Sequence, residues 1–172
     1  MTTALAMTAM EILEATPRTL RGLLGTLPAE AVTDAGEEGW SPRDVLAHLL
    51  SVQEPAMIGR VTLMLDNDEP PVPNIDEEAA LVNSGYRDRP VHELLNMFAK
   101  QRAAAVAWVQ GLPPDSLARG GRHEVAGRIT AADQLNHFAY HDLAHIRQIC
   151  SLLTPRVERA RGAMGEAFPD TG

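Results

Sequence analysis

The sequence predicts an all-α domain built as a four-helix bundle, and three observations carry that expectation. Apolar residues make up 45% of the 172-residue chain and aromatics only 4%. The core must therefore come from Leu, Val, Ala, Ile and Met, which suits packed helices better than a β-sandwich. Apolar positions recur at three- and four-residue spacing in four long segments. Clusters of proline and glycine separate those segments. The length fits one domain over 1–172, with a bundle core at about 8–153 and a tail at 154–172.

The first segment, about Thr8 to Leu27, carries Ile12, Leu13, Leu20, Leu23, Leu24 and Leu27 on one face. Pro17 is expected to kink that helix or restart it. The connection from Pro28 to Trp40 is turn-rich and ends in an aromatic suited to plugging the end of a bundle. Ser41-Pro42 then reads as an N-cap followed by proline in the first turn. The second helix is expected from Pro42 to about Leu65, with Val45, Leu46, Leu49, Val52, Ala56, Met57, Val61 and Met64 on a broad apolar face and a bend at Pro55.

Asp66 to Asn74 cannot continue that helix, and the long link to Pro90 has room for one short helix at about Asp76 to Val82. The third helix, about Val91 to Leu112, places Val91, Leu94, Leu95, Phe98, Arg102, Ala105, Val106 and Val109 on one stripe. A Gly- and Arg-rich loop over Pro113 to Ile129 follows. Thr130 and Asp133 then resemble a capping box that opens a fourth helix reaching about Leu153, with Pro155 just past its end. The tail has no periodicity and is expected to be only partly ordered.

The formal net charge is −8, and the single lysine, Lys100, and fourteen arginines are scattered. No basic stripe is present to displace counterions from a phosphate backbone, so nucleic acid is excluded as a partner. No window holds the roughly 18 uncharged apolar residues of a membrane span. Cys150 is the only cysteine, and the start of the chain lacks the basic stretch of a signal peptide. The expectation is a cytoplasmic protein with no membrane partner.

Chemistry concentrates in six histidines. His137, His141 and His145 follow one another at four-residue spacing, and His48 lies in an apolar helical run. Residues four apart stack on one helix face, so two imidazoles can meet one metal ion. With Phe138 at zero on a wheel of about 100° per residue, Ile149 falls near 20°, His145 near 340° and His141 near 300°. His137 falls near 260° and Gln148 near 280°, at the edge of the buried sector. His137 and His145 are about 12 Å apart along the axis, so one straight helix cannot bring all three to one ion. The favoured pair is His141 and His145.

Whether His48 joins them depends on the long link. If the link crosses the bundle end to end, the second and third helices run parallel, and His48 and His145 meet at one level of antiparallel helices. An up-down-up-down arrangement would instead align His48 with His137 and His141. His92 and His123 are expected to face solvent. A lone histidine near an apolar face is more often a satisfied core residue than a ligand, but a buried i,i+4 pair needs partners.

Trp40-Ser41-Pro42-Arg43-Asp44-Val45-Leu46-Ala47-His48-Leu49, followed about ninety residues later by His141-Asp142-Leu143-Ala144-His145-Ile146-Arg147-Gln148-Ile149, resembles the DinB-like family of metal-binding four-helix bundles. That family includes the bacillithiol- and mycothiol-dependent S-transferases, and the likeness spans roughly Thr8 to Leu153. It implies up-down-down-up connectivity with a long link between the second and third helices. It also implies metal ligands at His48, His141 and His145, and a divalent transition ion, zinc or nickel. Gln148 matches the glutamine that commonly follows the last histidine, and His137 has no implied role as a ligand.

Three neutral histidines leave one position on an ion open, as catalytic rather than structural sites do. The resemblance then implies a metal-dependent thiol S-transferase acting on a low-molecular-weight thiol and a small-molecule electrophile, as a homodimer. The alternative is a non-catalytic, stress-related dimeric bundle that binds metal without turnover. No general base is identifiable; Tyr140, Glu54 and Arg147 lie near enough in the chain to line a pocket.

Overall fold

The computed structural model describes residues 2–36 and 39–169. Glu37 and Glu38 of the first connection and the last three residues of the tail lie outside the described residues.

Helix α1, Thr2–Leu24, begins earlier than expected and runs through Pro17 as one element. Proline cannot bond the carbonyl four residues back, here that of Leu13. The guanidinium of Arg102 donates to that carbonyl from a neighbouring helix at 3.3 Å, so the group is satisfied and the helix continues. A short α2, Ala29–Thr33, leads towards Trp40. Gly36 lies so close to the fourth bundle helix that a Cβ there would sit 2.5 Å from Leu152 Cδ2. Its N–H donates to the Trp40 carbonyl at 2.8 Å, which holds the aromatic residue at the end of the bundle.

The second bundle helix is composite. Helix α3, Pro42–Val52, is opened by a full capping box between Ser41 and Asp44. It passes into a π-helical turn at Gln53–Gly59 and then into α4, Arg60–Asp66. The expected bend at Pro55 thus takes the form of a widened turn, which gives the proline ring room beside the preceding turn. Its apolar face, from Val45 to Met64, is buried inside the protein. That face belongs to the core.

The link carries α5, Glu77–Ser84, one position from the expected start. A turn of 3₁₀ helix at Tyr86–Asp88 leads to α6, Val91–Gln110. Periodicity did not reveal the three-stranded sheet. Strand β1, Pro71–Val72, pairs in parallel with β2, Gly120–His123, which pairs antiparallel with β3, Gly127–Thr130. The strands are too short for an alternating pattern, and their pairing closes over Gly121, where a Cβ would clash with Val72 and the Pro70 carbonyl.

The Thr130–Asp133 capping box opens α7, Ala131–Glu158. This helix continues through Pro155, contrary to the expected stop near Leu153; Ser151, whose carbonyl the proline frees, is exposed to water. A short α8, Ala163–Ala167, follows in the tail.

The four long elements run up, down, down and up. Gln134 of α7 donates to the Ala56 carbonyl while His48 meets His141, so α7 is antiparallel to the second bundle helix. Arg21 pairs with Asn96 and Glu14 with Gln110, so α1 is antiparallel to α6. Two apolar clusters fill the interior. One joins Leu13, Met57, Val61, Val106, Leu135 and Phe138; the other joins Leu20, Leu24, Leu46, Leu49, Leu94, Phe98 and Ile149.

Candidate metal centre

The antiparallel pairing of α3 with α7 brings His48, His141 and His145 together. Nε2 of His141 lies 3.3 Å from Nε2 of His48 and 3.2 Å from Nε2 of His145. One nitrogen from each residue lies within 4.8 Å of the other two. A tetrahedral ion with metal–nitrogen bonds of about 2.0–2.1 Å sets neighbouring nitrogens about 3.3–3.4 Å apart. The observed spacings match that edge, so the residues present fit a divalent ion.

The surroundings favour neutral rings. Burial, with a smaller effect of His145, lowers the pKa of His48 from 6.5 to about 4. Burial, then His145, His48, His137 and Arg102, lowers that of His141 to about 3. Both imidazoles are unprotonated at neutral pH, the form that binds metal. Gln148 Oε1 accepts from His145 Nδ1 at 2.8 Å, which leaves the Nε2 lone pair of that ring facing its neighbours. The Nδ1 atoms of His48 and His141 are buried with no hydrogen-bond partner among the described residues. Among the described residues no hydrogen bond to Nδ1 sets those two tautomers, whereas an ion on the three Nε2 atoms would.

The other expectations divide. His137 is exposed on α7, away from the convergent nitrogens, as the wheel indicated. His92 is exposed, but His123 is half-buried, and its Nδ1 accepts from the backbone N–H groups of Val125 and Ala126. Arg147 does line a cavity beside the site: a cleft of about 860 Å³ bounded by Asp34, Trp40, Ala144, Arg147, Gln148 and Leu152, among others. Glu54 instead borders a separate cleft with Gln53 and Trp108. Tyr140 points to solvent, 65% exposed.

Three features escaped sequence reasoning. Trp40 packs edge-on against His48, with ring centroids 5.6 Å apart. Glu77 of α5 places Oε2 3.5 Å from His48 Nε2. Behind the histidines, Asp142 and Arg102 form a fully buried ion pair. Both guanidinium nitrogens NH1 and NH2 donate to the Asp142 carboxylate, and Nε donates to Gln53 Oε1 at 2.6 Å. A signal existed for this pair: Arg102 falls on the apolar stripe of its helix, and Asp142 falls near 40° on the wheel, in the buried sector.

The family model described as the DinB superfamily matches residues 12–149. Among solved structures, the chain is similar to YfiT from Bacillus subtilis, described as a probable metal-dependent hydrolase with an unusual four-helix bundle topology. The two are 21% identical and superpose with a TM-score of 0.77 over 88% of this chain and 87% of the other. That likeness concerns the fold. No curated protein matches this chain.

Proposed function

The chain belongs to the DinB superfamily, and we propose that it holds a divalent transition ion, zinc or nickel, on His48, His141 and His145 and serves as a metal-dependent thiol S-transferase. The observation that carries the reading is the convergence of three Nε2 atoms at spacings of 3.2 and 3.3 Å. When bound, such an ion lowers the pKa of a thiol at its open position and readies it for attack on an electrophile.

The residues around the triad have separable tasks. Gln148 orients His145 through its Nδ1–H. Trp40, held edge-on against His48, walls one side of the site. The cleft beside Trp40 and Gln148 has the size of a small-molecule site, and its arginines and aromatic wall suit a bacillithiol- or mycothiol-type thiol or its electrophilic partner.

The test is transfer by the zinc- or nickel-loaded protein from bacillithiol, mycothiol or glutathione to a panel of electrophiles, with conjugate formation followed by mass spectrometry. Conjugate formed by wild-type protein and lost in H141A supports the reading; no conjugate with any thiol sinks it. Hydrolysis is the second reading, supported by the description of YfiT and by the same open position. It predicts ester or amide cleavage without added thiol. A metal-binding bundle without turnover predicts stoichiometric metal with neither activity.

A further inference from the structure

We propose that Glu77 is a fourth, displaceable ligand to the ion held by His48, His141 and His145, delivered to it by the linker helix α5. The inference rests on the metal reading above and adds a residue to it.

The Oε2 atom of Glu77 stands 3.5 Å from Nε2 of His48, the same nitrogen that faces His141. A carboxylate oxygen and an imidazole lone pair are both acceptors, so they repel unless a proton or cation lies between them. The 3.5 Å gap is close to the spacing of adjacent ligand atoms on a tetrahedral ion, and zinc accepts carboxylate oxygen at about 2.0–2.2 Å. The carboxylate also offsets part of the ion's double charge, which three neutral imidazoles do not.

The backbone that carries Glu77 is fixed. Leu81, one helical turn further on the same face, is 1% exposed and packs in the cluster with Val45, Leu46 and Leu49 of α3. Asp76 caps the first turn of α5 through the Ala79 N–H. Arg60 donates twice to the Pro73 carbonyl just ahead of the helix. Arg87, after the helix, reaches both Glu78 and Asp44 and stacks on Trp40.

The Glu77 side chain, by contrast, is 49% exposed and approaches His48 alone of the three histidines among the described residues. It is an arm at the rim of the triad, with its anchor buried and its carboxylate free to change rotamer. An incoming thiolate carries the same charge, so it can replace the carboxylate without changing the charge of the site.

The experiment compares wild type, E77Q, E77A and the neighbouring control E78Q. Zinc affinity is measured by chelator competition, the visible spectrum is recorded with cobalt(II), and folding is checked by circular dichroism. Expected are a tenfold or greater loss of zinc affinity in E77Q and E77A and a changed cobalt ligand-field spectrum, with E78Q matching wild type. Added acetate should move the E77A spectrum back towards wild type. Zinc binding by E77Q within twofold of wild type would overturn the inference and leave the histidine triad standing. Weaker zinc binding with an unchanged cobalt spectrum would also overturn it, because a remote charge acts that way. Wild-type protein that binds neither zinc, nickel nor cobalt would instead remove the metal reading itself.

Discussion

Two buried polar centres lie next to each other in this bundle, and they are finished in opposite ways. The Arg102 guanidinium bonds Asp142, Gln53 and the Leu13 carbonyl and lies over Phe98 at 4.7 Å. It ties α1, the π-turn, α6 and α7 together, and its donors are answered by protein acceptors. The histidine centre, one residue along α7, gathers three acceptor nitrogens and leaves two Nδ1 atoms unanswered. The first centre is complete as folded, and the second has the donor set of a site completed by a cation. Adjacent placement has a physical use: the rigid junction fixes α7 against the second bundle helix near the level where the three histidines converge.

The comparison breaks most visibly at the closed centre. Asp142→Ala leaves Arg102 buried and uncompensated, with an expected loss of about 3–5 kcal/mol in urea unfolding. A loss under about 1 kcal/mol would show that the junction does not hold the helices. The open centre should respond to metal instead. Zinc at a hundredfold excess over its Kd should stabilise wild type by about 2.7 kcal/mol. H48A, H141A and H145A should each lose most of that gain in thermal unfolding while changing the metal-free protein little.

Acid distinguishes the two centres next. Without metal, His48 and His141 are neutral in both folded and unfolded chains above about pH 6.5 and contribute no pH dependence there. Below it the unfolded chain takes up protons that the folded rings, at about 4 and about 3, refuse. Metal-free stability should fall by about 1.4 kcal/mol per pH unit for each ring until the folded pKa is reached. The double variant H48F/H141F should flatten that slope; an unchanged slope would assign it elsewhere. The smallest effect is expected at exposed His137, where H137A should stay within about 0.5 kcal/mol of wild type and keep its zinc affinity.

Much of this was legible along the chain because it depends on local periodicity. The capping signals at Ser41 and Thr130 marked two helix starts, and the wheel on α7 separated His141 and His145 from His137. Proline was the unreliable sign. Pro17 predicts a kink or a restart and Pro155 a helix end, yet both helices continue, because a carbonyl freed by proline needs only another donor. In α1 that donor comes from a residue 89 positions away. The small sheet was missed for a related reason: two- to four-residue strands are defined by their partners and not by any pattern of their own.

By itself, then, the sequence determined the helical class, the four long elements, and which imidazoles face inward, since side-chain direction on a helix follows from 3.6-residue geometry. Only the tertiary structure decided what those imidazoles meet. His48 could have faced His137 or His145 until the direction of the long link was settled. The approach of Glu77, the wall formed by Trp40 and the pairing of Arg102 with Asp142 each join residues distant in sequence. No local propensity encodes such contacts; packing of the whole chain brings them together.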